Sequence, residues 1–274
     1  MGLLAGKKAL VTGVANKKSI AWGIAQALHA QGAEIAFTCL EGSMRRVNRL
    51  APLVNSNIVI SCDVRKDNDI VSAVGAVKDS FGGRLDIFVH SIAFANLEDI
   101  GGEFITVTRS GWNLALEISA YSLVAFTRHI RPLMNTAGGG AIITLTFGGA
   151  EAVVPGYNIM GVAKAALNAS IRYLAHDLGP ENIRVNGIAA GPVPTLSSQM
   201  IENFKTGLEL VQERSPLLRN ITVEDVGNTA VYLASTLSSA VTGAIMRVDC
   251  GMHVMSPPTG PRHRKEGLKR KNSV

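Results

Sequence analysis

The stretch KALVTGVANKKSIAWG, residues 8–23, decides how the rest of the chain is read. Its opening, Lys8–Thr12, is a continuous apolar run without alternation, as expected of a strand covered on both faces. Gly13 then supplies a tight turn, Ser19 stands where a helix begins, and Gly23 allows close helix–strand packing. Strand, glycine turn and helix in this order open an α/β unit.

Outward from this unit the same alternation runs to residue 248. Strands are expected near Lys8–Thr12, Glu34–Thr38, Asn57–Ser61, Leu85–His90, Ala141–Thr146, Arg184–Ala189 and Ala244–Val248. Helices fit Ser19–Gln31, Ser43–Leu53, Lys66–Phe81, Ser110–Asn135, Gly156–Leu178, Gln199–Arg214 and Val223–Ser235. Strands alternating with helices pair in parallel through right-handed crossovers. The expected fold is therefore α/β: one Rossmann-like, doubly wound parallel sheet of seven strands in a single domain, residues 1–256. Its binding crevice should lie at the carboxyl ends of the strands.

Composition narrows the function. At 47% apolar residues, the 274-residue chain is neither disordered nor fibrous. Its formal charge of +6 points first to an anionic partner. The segment 257–274 carries six bases and one acid, whereas residues 1–256 hold 21 bases and 20 acids. The body is nearly neutral and has no nucleic-acid footprint; 257–274 reads as a basic, disordered, solvated tail. Cys39, Cys62 and Cys250 are expected as buried reduced thiols, and no cysteine or histidine pair has metal-ligand spacing. A strand within eight residues of the start leaves no room for a signal peptide, and no apolar run reaches a membrane span. The expectation is a cytoplasmic protein.

The turn after the first strand invites a comparison with the dinucleotide fingerprint GxGxxG, which aims a helix N-terminus at pyrophosphate. Gly13 and Gly23 fit its outer glycines, the middle glycine is missing, and the turn is longer. Ser19 is a helix cap or a hydroxyl donor to phosphate; an ordinary glycine turn is the plainer alternative. Following the first strand of an alternating chain, the cofactor reading is preferred. Glu41 is placed to accept from an adenosine ribose, or sits on the solvated start of the next helix. Arg45, Arg46 and Arg49 offer a 2′-phosphate partner instead, so NADH is favoured and NADPH not excluded. Asp63 and Val64, ending the third strand, are placed to meet adenine, or Asp63 caps the following helix.

Residues 144–164, TLTFGGAEAVVPGYNIMGVAK, carry the reaction chemistry. Tyr157 and Lys164 are two helical turns apart, which puts them on one helix face. A tyrosine near an ammonium can donate to a substrate oxygen that gains negative charge. On spacing alone, a surface pair is the alternative.

With these residues in view, the chain resembles the short-chain dehydrogenase/reductases. More narrowly it resembles their bacterial type I enoyl-[acyl-carrier-protein] reductase branch, over roughly residues 2–255. Ordinary members carry Tyr-x3-Lys with a serine before it; the corresponding positions here are Met160 and Phe147. The enoyl reductases use Tyr-x6-Lys, which is Tyr157 and Lys164. The long cofactor turn, the run His90 to Ala95 after the fourth strand, and residues 189–196 (AAGPVPTL) match the same branch. The resemblance implies NADH-dependent reduction of trans-2-enoyl thioesters in fatty-acid biosynthesis, with Tyr157 and Lys164 catalytic. It implies cofactor contacts from Gly13, Ser19, Ile20, Asp63, Val64, Ser91, Ile92, Lys164, Val193, Thr195 and Ser197. Substrate contacts would come from Ala95, Tyr157, Leu196 and Met200. An acyl carrier protein as partner, a homotetramer and no metal complete the implication, with the helices Ser110–Asn135 and Gly156–Leu178 as candidate interface elements.

Three positions depart from the branch. Phe147 replaces a tyrosine, Leu40 a glutamine that meets the adenine ribose, and Pro194 a basic residue. Mycobacterial long-chain enoyl reductases carry phenylalanine near the first of these. Leu196, Met200, Ile201, Phe204 and Leu208 have the spacing of a lid over an acyl chain, or of one more packed helix. Lys205 is accompanied there by Glu202, so carrier docking by this helix should be weak. Two other readings stay open: a dehydrogenase of ketones or alcohols, with Thr144 or Thr146 standing in for the serine, and a weakly active or non-catalytic dinucleotide-binding paralogue.

Overall fold

The computed structural model describes residues 2–195, 198 and 204–256. Its strands are β1 (Lys8–Thr12), β2 (Glu34–Cys39), β3 (Ile58–Ser61), β4 (Ile87–His90), β5 (Gly140–Thr146), β6 (Ile183–Ala190) and β7 (Ile245–Val248). They form one sheet in the order β3-β2-β1-β4-β5-β6-β7, parallel throughout. Its direction of growth reverses between β1 and β4, so their carboxyl ends flank the crevice, as the sequence led us to expect.

The helices are α1 (Ile20–Ala30), α2 (Met44–Leu50), α3 (Asp67–Ser80), α4 (Leu97–Ile100), α5 (Arg109–Leu116), α6 (Ser122–Thr136), α7 (Asn158–Leu178), α8 (Phe204–Arg214) and α9 (Val223–Ala234). Successive strand residues point to opposite faces. Val11, Phe37, Val89 and Ile143 enter a core with α1 and α9 residues; Leu10, Phe88, Ile142 and Val185 enter another with α3, α6 and α7 residues. Both faces are covered, which is why the strands read as continuous apolar runs.

Several expectations need correction. The single helix expected over Ser110–Asn135 is three pieces, because a π turn at Glu117–Tyr121 separates α5 from α6. The helix expected over Ser43–Leu53 ends at Leu50, and the tight turn Ala51–Val54 follows with Pro52 in its first positions. A proline lacks the N–H that would extend the α-helical ladder. The helix expected from Gly156 starts at Asn158 and leaves Tyr157 at its N-cap. Gly23 serves helix–helix rather than helix–strand packing: a Cβ there would lie 2.7 Å from Cβ of Val223, at the start of α9. Within the expected helix Gln199–Arg214, the described part is α8. The tail 257–274 and Leu196, Ser197, Met200, Ile201, Glu202 and Asn203 lie outside the described residues.

The segment between β4 and α5 is more ordered than its sequence signalled. Buried Asp99 accepts from the backbone N–H of Thr108 at 3.0 Å and from its hydroxyl at 3.2 Å, and Thr108 caps α5. Asn158 then donates to the carbonyls of Gly101 and Gly102, both at 3.0 Å, tying this segment to the start of α7. All three cysteines are free and buried; burial pushes the Cys39 thiol to about 11 and that of Cys62 to about 12. No helix of the described residues is long and apolar enough to cross a membrane.

Candidate active site

The crevice begins where β1 ends. Gly13 has φ +83°, a left-handed conformation that glycine enters without penalty. A Cβ on it would stand 1.9 Å from the Ser91 carbonyl oxygen, so backbone meets backbone here and no other side chain fits. Thr12 ties the two strand ends together: its hydroxyl donates to the Val89 carbonyl at 3.0 Å and accepts from the Ser91 N–H at 3.2 Å. Ser19 occupies the N-cap of α1 but makes no cap bond. Its hydroxyl oxygen accepts instead from the N–H groups of Ala15 and Asn16, at 3.1 and 3.0 Å, and folds the long turn onto the helix start. Ile20 opens α1 and packs on the adjacent core.

Asp63 and Val64 follow β3. Val64 is buried, and the Asp63 carboxylate accepts from the Arg65 guanidinium, Nε to Oδ1 at 2.9 Å. That bond holds the carboxyl below its ordinary value. The N–H of Asp63 donates to Asp69 Oδ2 at 3.1 Å. Asp63 is thus tied within its own turn rather than capping α3, whose N-cap is Lys66. Glu41 is exposed, with no burial to set against its reading as a solvated helix start. Arg46 and Arg49 line a cleft with Asn16 and Lys17 beside the long turn.

The opposite wall is made by β5, α7 and the π turn. Lys164 is buried, and its ammonium donates to the Leu145 carbonyl at 2.7 Å, using one of three protons. Burial lowers it from the usual lysine value to about 8. Tyr157 is partly exposed, and desolvation of its phenol raises its pKa, so the ring keeps its proton. Phe147 meets it edge to face, with ring centroids 5.0 Å apart and planes at 69°. The turn Gly148–Ala150 lies close behind: a Cβ on Gly149 would fall 2.9 Å from the Tyr157 ring. Arg247 of β7 pairs with Glu151 just beyond that turn.

Ser91 and Ile92 follow β4, with Ile92 packed against the core, and Ala95 is buried with Ala115, Ile159, Met160 and Ala163. Tyr157 packs on the edge of this same cluster, which brings Ala95 and Tyr157 to one wall. Val193 is buried, and Thr195 sits in a tight turn. The Ser198 N–H donates to Thr195 Oγ1 at 3.1 Å, and Ser198 Oγ donates to the Val193 carbonyl at 2.6 Å. Thr195 is thus held within a local turn, and Ser198 is the partner that sequence reading missed.

The residues of the competing dehydrogenase reading are committed elsewhere. Met160 is buried, with the Ser119 hydroxyl 3.8 Å from its sulfur. Thr146 donates to Asn168 Oδ1 at 2.7 Å, and Thr144 Oγ1 lies 2.9 Å from His90 Nδ1. Neither threonine presents a hydroxyl to the crevice in the manner of a catalytic serine.

Two further residues escaped the sequence reading. Ser119, in the π turn, accepts from the N–H of Phe94 at 3.0 Å and donates to its carbonyl at 3.1 Å, and so clamps the loop that carries Ala95. His90 ends β4, fully buried between Thr144 and Ser122. A histidine closing an otherwise apolar strand was the available signal.

Comparison with known proteins matches this geometry. The family model described as enoyl-(acyl carrier protein) reductase covers residues 13–253. The chain is 47% identical to the NADH-dependent enoyl-[acyl-carrier-protein] reductase of Aquifex aeolicus, over 93% of this chain and 94% of that protein. It is 47% identical to that of Bacillus subtilis, over 92% and 97%. Among solved structures, the Bacillus cereus enoyl-acyl carrier protein reductase with NADP+ and an indole naphthyridinone superposes with a TM-score of 0.91 at 46% identity. It covers 94% of this chain and 100% of that one. The reductase of Anaplasma phagocytophilum in complex with NAD gives 0.90 at 43%, over 94% and 98%. A seven-stranded doubly wound sheet, a Tyr157–Lys164 wall and these relatives agree: the chain belongs to the enoyl-(acyl carrier protein) reductase family.

Proposed function

We propose that this chain reduces the α,β double bond of trans-2-enoyl thioesters borne by an acyl carrier protein, with NADH as reductant, in fatty-acid biosynthesis. One observation carries the reading. The wall of the crevice offers a protonated phenol, Tyr157, at the N-cap of the helix that carries a buried ammonium, Lys164, while Met160, Thr144 and Thr146 are engaged elsewhere.

The residues fit a dinucleotide. Gly13 brings the β1 turn against Ser91 with no side chain between them, at the strand ends where the sheet order reverses. Gly13, Ser19 and Ile20 would hold the pyrophosphate, Asp63 and Val64 the adenine side, and Ser91, Ile92, Val193, Thr195 and Ser197 the nicotinamide half. Lys164 has ammonium protons beyond the one given to Leu145, and these would hold the ribose. When bound, NADH supplies the hydride that goes to the substrate β-carbon.

Tyr157 then does what its environment favours. As the thioester carbonyl oxygen takes on enolate charge, the phenol donates a hydrogen bond to it, and Lys164 adds positive potential in a region shielded from water. Phe147, without a hydroxyl, takes no part in proton transfer and supports the Tyr157 ring by its edge contact. Ala95 lies on the substrate side of the wall, and Leu196 and Met200 would continue it over the acyl chain. Phe204 and Leu208 are half-buried on one face of α8 and would serve the same acyl chain. We assign the assembled enzyme to the cytoplasm as a homotetramer.

The test is NADH oxidation with crotonyl or longer enoyl thioesters, followed at 340 nm. Turnover by the wild type and its loss in Tyr157→Phe, with NADH binding retained, is the expected result. Tight NADH binding without turnover of any enoyl thioester would overturn the reading.

A further inference from the structure

His90 is a buried polar residue to which the reaction above gives no task. It ends β4, where Ile87, Phe88 and Val89 are apolar, and an apolar side chain would be cheaper to bury than an imidazole. Both ring nitrogens are partnered: Nδ1 lies 2.9 Å from Thr144 Oγ1 and Nε2 lies 2.8 Å from Ser122 Oγ. The partners set the tautomer. Ser122 donates its one hydroxyl proton to the Ile118 carbonyl at 2.6 Å, so at His90 it accepts. Nε2 therefore carries the hydrogen, Nδ1 accepts, and Thr144 donates. Burial first, and the nearby Lys164 ammonium second, hold the ring neutral.

The two arms of this network end at two different parts of the site. Thr144 is followed by Leu145, whose carbonyl seats the Lys164 ammonium. Ser122 follows the π turn, whose Ser119 clamps the loop 91–95 at Phe94. π turns inside helices recur at functional sites, where they re-aim individual side chains. Core packing holds the turn beside β5, and among the described residues His90 is the side chain that joins Thr144 of β5 to Ser122, just past the turn, through its two ring nitrogens.

We propose that His90 is a positioning residue for enoyl reduction: as the neutral Nε2–H tautomer it fixes the strand that seats Lys164 against the π turn that seats the substrate-side loop. The proposal rests on the reductase reading for its kinetic consequences and on the hydrogen-bond geometry alone for its binding consequences.

Four variants test it: His90→Phe, His90→Gln, Thr144→Val and Ser122→Ala, each measured for thermal midpoint, NADH dissociation constant by fluorescence, and kcat and KM with crotonyl thioester. His90→Phe should lower kcat at least about tenfold, and His90→Gln, which can both donate and accept, should recover much of that loss. Thr144→Val should lower kcat and weaken NADH about fivefold, with little further effect when combined with His90→Phe, because both break one link. A role in stability alone would move the thermal midpoint and leave kcat and the NADH constant at wild-type values, and that result overturns the proposal. So does a His90→Gln no better than His90→Phe. If His90→Phe does not fold, wild-type kinetics in both Thr144→Val and Ser122→Ala are sufficient to reject it. Failure of the reductase reading shows separately, as absence of turnover in the wild type; the NADH constants of the variants then decide the matter by the same criterion.

Discussion

The β1 side of the crevice is built from backbone and the β5 side from side chains. At β1, Gly13 presses its own main chain on the Ser91 carbonyl, and Ser19 closes the turn from four residues away. At β5, Tyr157 and Lys164 owe their places to Leu145 and Phe147 of the preceding strand end and to Ala95 and the π turn from elsewhere in the chain. The first side depends on which conformations the chain can adopt, the second on which partners it meets. Damage to the β1 side should therefore appear in cofactor affinity, and damage to the β5 side in the chemical step.

The largest effect is expected on the β5 side. Tyr157→Phe removes a single donor to a developing oxyanion, worth roughly 10²–10³ in kcat. The NADH dissociation constant should stay within twofold, about the scatter of such measurements; a loss of affinity equal to the loss of rate would erase the distinction between the two sides. Next comes Gly13→Ala, which forces a side chain into a left-handed, filled position. Strain of about 1–3 kcal/mol there should weaken NADH by about tenfold or more, with kcat at saturating NADH little changed.

Lys164 belongs to both sides, and pH should reveal it. Its ammonium is lowered to about 8 by burial, so a ribose contact that needs the charge weakens as pH rises through 8. Stability should move the other way. The unfolded chain holds the lysine proton up to about its ordinary 10.4, more tightly than the native state does, so this residue's contribution to stability rises between about pH 8 and 10.4. Lys164→Met should remove both trends, which titrations of NADH affinity and of thermal midpoint would register. The smallest effect is expected from Phe147→Leu. Losing an edge-to-face contact of about 0.5–1.5 kcal/mol should lower kcat about two- to tenfold, and Phe147→Tyr, which keeps the ring, should stay near wild type.

The same contrast explains what could be read from the sequence. The strands, their parallel order and the glycine turn follow from local signals: apolar runs, Gly13 and Ser19 in fixed succession. Tyr157 and Lys164 were singled out by the resemblance, since their spacing alone left a surface pair open; Lys164 is buried and Tyr157 caps its helix rather than lying within it. The π turn at Glu117–Tyr121 had no local signal, because Ser119 and Ser122 are unremarkable until Phe94 and His90 arrive from another strand. Asp99 was missed for the same reason: its partner, Thr108, is held by a loop whose shape only the fold defines. Gly23 was recognised as a close-packing residue but assigned to the wrong neighbour, since the sequence of α1 contains nothing of α9.

That neighbour has a consequence for inherited variation. Gly23 and Gly227 let α1 and α9 cross in near contact, and a Cβ on Gly227 would lie 2.9 Å from both the Gly23 carbonyl oxygen and Ala27 Cβ. A methyl group added there would push on the helix whose first turn follows the Gly13 loop. A lineage could thus retune its grip on the reductant from behind the sheet, leaving the residues of the crevice itself as they were.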